Sequence, residues 1–361
     1  MEIRTDILKN EEKVVFRLRD IYSRFGYSYF KMGKFEEYDL YSKNKEFLVS
    51  DSVITFTDTN GKLMAMKPDV TLSIVKNTRV VPGSVQRLYY NENVYRISPQ
   101  THSYREIMQT GLECLGDVDF YQRCEVLRLA VESLREISEE CVLNISHLGV
   151  ISAALEGLEL GEALPRLLKC IEDKNPGGAE ALCRENRVPE EKTRLLTALA
   201  RAYGREEALE ELKALGGDRA ALEELEAVLK VCDDLENVRI KVDFSVLNDM
   251  NYYNGLVFRG YVQGVPTRVL SGGQYDRLMK KMGKDGRAIG FAVYLDLLER
   301  LDAPGEYDTD VLLLYSEQDS PAAVLQRVRE LTLEGKRVSA QRVIPEKLTC
   351  RVVEKMQREE G

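Results

Sequence analysis

The chain has 361 residues, 44% of them apolar, and a formal charge of −9. That length suggests two or three domains, each with a full core, and no stretch approaches the length of a membrane span. The acidity argues against a broad nucleic-acid surface.

The start, MEIRTDILKNEEKVV, lacks the apolar core of a signal peptide. Cysteines at 114, 124, 141, 170, 183, 232 and 350 form no CxxC pair and have apolar neighbours. They read as reduced, packed thiols of a cytoplasmic protein. With His102 and His147 as the only histidines, no metal site is expected.

Val14, Leu18, Ile21 and Phe25 recur at helical spacing, and Gly26 stops the run. Next, YSYFKMGKFEEYDLYSKN reads as a packed helix with a polar face. Residues 53–66 predict a hairpin, with Asn60-Gly61 as its two-residue type I′ turn. KPDVTLSIVKNTR opens a helix for which Asp69 is the expected N-cap.

The stretch QRLYYNENVYRISPQTHSYREIMQTGLECLG, residues 86–116, carries period-two patterning on both sides of a polar loop. It predicts two antiparallel strands. Arg96, Arg105, Gln109 and Glu113 lie in or beside its apolar runs. Buried charges need partners. Two readings are open: an internal ion pair such as Arg96 with Glu113, or a polar floor for a small molecule.

Phe120, Cys124, Leu127, Ala130 and Leu134 share one face of a helix over 118–139. CVLNISHLGVISAAL is a strand and then a helix, and His147 within it reads as a packed core histidine. From about 150 to 236, Leu, Ala, Glu, Lys and Arg dominate between Gly and Pro punctuation. Short helices in a small bundle are expected there, one of them capped by Asp218.

Val238, Ile240, Val242 and Phe244 restore a strand, and Tyr252-Tyr253-Asn-Gly bends into another. TRVLSGGQYDRLMKKMG is a strand, a Gly-Gly step and a helix. At Gly272 and Gly273 either a ligand or packed backbone comes close. AIGFAVYLDLLERL is a strand feeding a helix. Beyond the Ala303-Pro-Gly linker lies a βαβ piece with a charged tail.

YYNENVYR followed by YREIMQTGLECLG resembles the second signature motif of class II aminoacyl-tRNA synthetases, and QTGLECLG resembles the histidyl branch. The resemblance implies an α+β fold, with an antiparallel sheet flanked by helices, an inserted helical subdomain and a short α/β C-terminal piece. The expected domains are a synthetase-like core at 1–149 and 237–303, a helical insertion at 150–236, and a truncated α/β domain at 304–361. It also implies a dimer through the first motif, where the usual proline corresponds to Gly33.

In the histidyl family an acid and a threonine hold the substrate's ammonium group, and Asp69 and Thr71 match them. Gln109 remains for the same group. Glu113 and Tyr253 match residues that pin the imidazole, Tyr252 walls the pocket, and Arg96 matches the motif arginine at the α-phosphate. The nucleotide side departs from the family. The loop's Gly-Arg-x-Arg run reads His102-Ser103-Tyr104-Arg105, Asn248 stands at the catalytic arginine, Leu297 at the adenine-stacking arginine, and Tyr294 at a preceding glycine. Losing one such donor typically lowers rate by about a hundredfold or more, so losing several implies negligible adenylation.

A kept histidine pocket beside lost nucleotide chemistry resembles the regulatory subunits of ATP phosphoribosyltransferase, paralogues of histidyl-tRNA synthetase. That family implies a non-catalytic subunit without cofactor or tRNA. Its partner is the short-form catalytic subunit, in a hetero-oligomer, commonly an octamer, that contains a homodimer of this chain. L-histidine is the implied effector, bound by Asp69, Thr71, Arg96, Gln109, Glu113, Tyr252 and Tyr253, with Arg96 the candidate anchor for its carboxylate. The alternative is a divergent, active histidyl-tRNA synthetase.

Overall fold

The computed structural model describes residues 8–48, 53–98, 101–234, 238–247, 252–301 and 307–356. The chain divides into two compact units, Met1–Leu301 and Asp302–Gly361. Strands of the first unit are β1 Ser28–Tyr29, β2 Phe35–Glu37, β3 Thr55–Thr57, β4 Leu63–Met66, β5 Val85–Ile97, β6 Tyr104–Gly116, β7 Cys141–His147, β8 Tyr203–Gly204, β9 Val238–Asp243, β10 Leu256–Val262, β11 Leu270–Gln274 and β12 Arg287–Tyr294.

Nine of them form one sheet in the order β1-β5-β6-β12-β11-β10-β7-β9-β8. Its centre is antiparallel, while β1 joins β5 and β9 joins β7 in parallel. The two strands expected around residues 86–116 pair over their full length, from Val85↔Gly116 to Ile97↔Tyr104. This is the mixed α and β architecture that the resemblance implied.

Alternation along the central strands sorts their side chains onto two faces. Leu112, Cys114, Ile289, Phe291 and Val293 enter the larger core. There they meet Leu18 and Tyr22 of the helix Asn10–Arg24 and Leu127, Ala130 and Leu134 of the helix Phe120–Ile137. Each fully buried side chain of this kind contributes about 1.5–3 kcal/mol. On the other face Tyr90, Val94, Leu115 and Ala288 pack with Tyr41, Phe47, Leu72, Ile74, Leu278 and Met279. Gln109, Gly111 and Glu113, and likewise Gly290, Ala292 and Tyr294, have the same parity as this second set.

Several local expectations change. The hairpin of β3 and β4 pairs Thr57 with Leu63, so its loop spans 58–62 instead of two residues. Asp58 Oδ1 accepts from the Asn60 and Lys62 amides at 2.8 Å each, and of the Asn60-Gly61 pair only Gly61 takes positive φ. The side chain of Asp58 thus organises the turn. YSYFKMGKFEEYDLYSKN holds β1, β2 and only a five-residue helix, Tyr38–Ser42. Phe120 is exposed, with the Arg123 guanidinium over its ring. After β12 the chain enters a 3₁₀ segment, Leu295–Leu301.

The described part of the stretch, 150–234, is mainly helical, with Asp218 capping Ala221 at 2.7 Å, yet it also supplies β8 to the sheet edge. His147 is buried and accepts from the Gly149 amide through Nδ1 at 3.1 Å, and burial lowers its pKa. It is a packed histidine that caps the next helix.

In the second unit, β13 Thr309–Leu314 lies between β14 Val338–Gln341 and β15 Cys350–Lys355, all parallel. The helix Pro321–Leu333 connects β13 to β14, and the Ser320 hydroxyl caps it. The expected charged tail therefore contains a third strand. Among the described residues no helix is long and apolar enough to cross a membrane.

Candidate functional site

The face of the sheet that carries Gln109, Glu113, Gly290 and Tyr294 opens into a small cavity. β6 supplies Gln109 and Glu113, β12 supplies Gly290, Ala292 and Tyr294, and β11 supplies Ser271 with Tyr275 just beyond it. The turn before the helix Thr71–Asn77 brings Asp69, the first residue of that helix is Thr71, β5 brings Tyr90 and Arg96, and the bend before β10 brings Tyr252 and Tyr253. All seven residues expected at the site line this one cavity.

Glu113 is its centre. The residue is 2% exposed, and both carboxyl oxygens are engaged. Thr71 donates its hydroxyl to Oε1 at 2.7 Å, and Tyr275 donates to Oε2 at 2.5 Å. Burial pushes the Glu113 carboxyl up to about 8, although both hydrogen bonds pull it down and the nearby Asp69 adds to the rise. Of the two readings of the buried charges, the internal Arg96–Glu113 pair gives way to this hydroxyl cage. Arg96 instead donates from Nε to the Pro68 carbonyl at 3.1 Å.

Asp69 combines two placements. Its Oδ1 accepts from the Leu72 amide at 2.8 Å, so it satisfies the first turn of the helix from one residue before the N-cap position, which is Val70. It also lines the cavity. Burial raises its pKa against the Leu72 hydrogen bond and the Arg96 charge, which lower it.

The aromatic wall is continuous. Tyr252 lies 4.6 Å from Tyr253, 5.8 Å from Tyr275 and 6.0 Å from Phe47, ring centre to ring centre. Burial raises the phenols of Tyr90, Tyr252 and Tyr275 well above their usual range, so all three stay protonated as donors. Two glycines let this wall and floor meet. A Cβ at Gly290 would run into the Glu113 carboxylate, and one at Gly273 would come within 2.8 Å of the Tyr253 ring. Gly272 faces Phe258 and Phe291 in the core, so the Gly-Gly step serves packing of backbone and ring.

The site residues that the sequence reading missed are Tyr275, Tyr90, Ser271 and Tyr294. The period-two alternation that places Gly273 and Gly290 on the floor also places Ser271 and Tyr294 there, so for these two the signal was present. Leu297 packs against the larger core. At the β5–β6 tip, His102, Ser103, Tyr104 and Arg105 are exposed. Asn248 and the Ala303-Pro-Gly linker lie outside the described residues. Among the described residues no group of three or more His, Cys, Asp or Glu is placed to hold a metal ion. The arrangement offers one buried acid, hydroxyl donors and a second acid beside a guanidinium, which suits a small zwitterion with a polar ring.

Residues 3–298 match the family model of histidyl-tRNA synthetase. The ATP phosphoribosyltransferase regulatory subunit of Caldanaerobacter subterraneus is 31% identical over 333 residues, spanning 88% of this chain and 86% of that one. Its counterpart from Moorella thermoacetica is 31% identical over 335 residues, spanning 88% and 85%. Among solved structures, an ATP phosphoribosyltransferase regulatory subunit/histidyl-tRNA synthetase from Bacillus halodurans superposes with a TM-score of 0.74 at 23% identity, covering 99% of this chain and 97% of that one. An ATP phosphoribosyl transferase complex from Thermotoga maritima gives a TM-score of 0.63 at 21% identity, covering 80% and 98%. At those identities the two structures speak for the fold.

Proposed function

The chain belongs to the family of ATP phosphoribosyltransferase regulatory subunits, on the histidyl-tRNA synthetase fold, and from that premise we propose that its cavity binds free L-histidine to inhibit a catalytic partner. The convergence of Asp69, Thr71, Gln109, Glu113, Tyr252 and Tyr253 on one cavity carries this reading. Glu113 and Tyr253 take the imidazole, since a buried carboxyl facing a ring nitrogen makes a specific hydrogen bond. Asp69, Thr71 and Gln109 take the ammonium group, and Arg96, beside Asp69, takes the carboxylate.

The partner in this proposal is a short-form ATP phosphoribosyltransferase catalytic subunit, which condenses ATP with phosphoribosyl pyrophosphate in the first step of histidine biosynthesis. This chain adds no reaction of its own. A homodimer of it sits within a hetero-oligomer, an octamer, in the cytoplasm, and no tRNA is bound. Ser103 and Leu297, in place of two arginines of the synthetase pattern, support the non-catalytic role. Inhibition requires histidine to favour one arrangement of the complex, a coupling of typically about 1–3 kcal/mol.

Mixing purified chain with a short-form catalytic subunit tests the reading. The catalytic subunit should gain phosphoribosyltransferase activity, and L-histidine should remove it. Histidine-dependent exchange of pyrophosphate into ATP by the chain alone would instead establish an active synthetase, the reading favoured by the breadth of the family-model match.

A further inference from the structure

The cavity face of β12 changes size along its length. Gly290 lies directly under Glu113, Ala292 follows, and Tyr294 then presents a full phenol ring to the same cavity. Register fixes the two ends. Gly290 pairs with Glu113 across β6, and Tyr294 pairs with Gln109. They are four residue steps apart along the strand, about 13 Å. Glu113, with Thr71 and Tyr275 on its oxygens, is built as the end that receives a polar ring. The opposite end of an amino acid so placed, its α-carbon with the ammonium and carboxyl groups, points along β12 toward Gln109 and Tyr294.

Tyr294 cannot swing aside with its backbone. Its amide donates to the Val269 carbonyl at 2.8 Å. The chain turns at once into the 3₁₀ segment, where Leu295 and Leu298 are fully buried and Leu297 packs on the core. Its ring therefore stays in the cavity lining.

We infer that Tyr294 is a specificity-determining residue: it ends the cavity at the ligand's carboxyl group, admitting a free amino acid and leaving no room for anything joined to that carboxyl. The inference rests on the amino-acid reading of the cavity and goes beyond it, because it assigns the exclusion of extended ligands to one ring. Loss of arginines weakens the hold on a nucleotide. A ring in the way excludes any extension, charged or not.

The test is titration calorimetry of the full chain with L-histidine and with L-histidine benzylamide, whose added group is uncharged. The measured quantity is the change in the ratio of the two affinities between variant and wild type, which cancels the effect of the benzylamide's missing carboxylate. Tyr294→Gly and Tyr294→Ala should each shift that ratio at least about tenfold toward the benzylamide, the scale on which pockets discriminate by bulk. Tyr294→Phe should leave it unchanged. An unaltered ratio in the Gly and Ala variants, with histidine binding intact, overturns the inference and spares the histidine site. A shift in Tyr294→Phe as large as in the Gly variant overturns it as well. If wild-type chain binds no histidine, the amino-acid reading fails and this inference falls with it.

Discussion

The two halves of the β5–β6 hairpin are made of similar residues and meet opposite fates. Toward the sheet centre, Gln109 and Glu113 are 3% and 2% exposed. Toward the tip, Tyr104 is 74% exposed and Arg105 stands in solvent. Water satisfies the tip. The buried half must draw partners from elsewhere in the chain, and it draws Thr71 from the start of a helix and Tyr275 from beyond another strand. Polar residues at strand level thus mark a site only where the fold encloses them, because only there does an unmade hydrogen bond become expensive.

The largest effect that could break this contrast is in pH. Glu113 holds its proton up to about pH 8 in the folded chain and releases it near 4.5 when unfolded. Between those values the native state binds more protons, so its stability falls as pH rises, by up to about 1.4 kcal/mol per pH unit. Glu113→Gln should remove that slope. In denaturant unfolding the variant should match wild type at pH 5 and exceed it at pH 8; equal stability at both would place Glu113 in a wetter setting than the burial indicates.

Gly290→Val sharpens the contrast sterically. Side-chain atoms there run into the Glu113 carboxylate and should lower stability by about 1–3 kcal/mol in the same assay. Next, Tyr275→Phe leaves one oxygen of Glu113 without its donor, for a loss of about 1–2 kcal/mol and a similar weakening of histidine binding by calorimetry. Smallest of all, Arg105→Ala at the tip should change stability by less than about 0.5 kcal/mol and leave histidine affinity alone. A larger effect would join the tip to the site and erase the difference between the two halves.

The same contrast explains what could be read in advance. Alternation in residues 86–116 is strong because one face of each strand packs in a core, so Gln109 and Glu113 stood out as polar residues in apolar runs. Tyr275 did not, since a tyrosine beside a strand end is unremarkable until a carboxylate 162 positions earlier is found 2.5 Å away. Lys67, wholly buried with Glu92 at 2.8 Å, was invisible for the same reason. β15 was hidden by its charges: Arg351, Glu354 and Lys355 flank two adjacent exposed valines, Val352 and Val353, on an edge strand. The loop 58–62 was misread because Asp58, two residues before the Asn-Gly pair, organises the turn.

Everything functional here depends on whether the buried acid receives an imidazole. Titration calorimetry of L-histidine into wild-type chain and Glu113→Ala, each with and without the catalytic subunit, addresses it most directly. The account predicts saturable binding by wild type and a loss of about a hundredfold or more in the variant. Heat of binding that is absent from wild type in both settings, or that Glu113→Ala leaves unchanged, would contradict it.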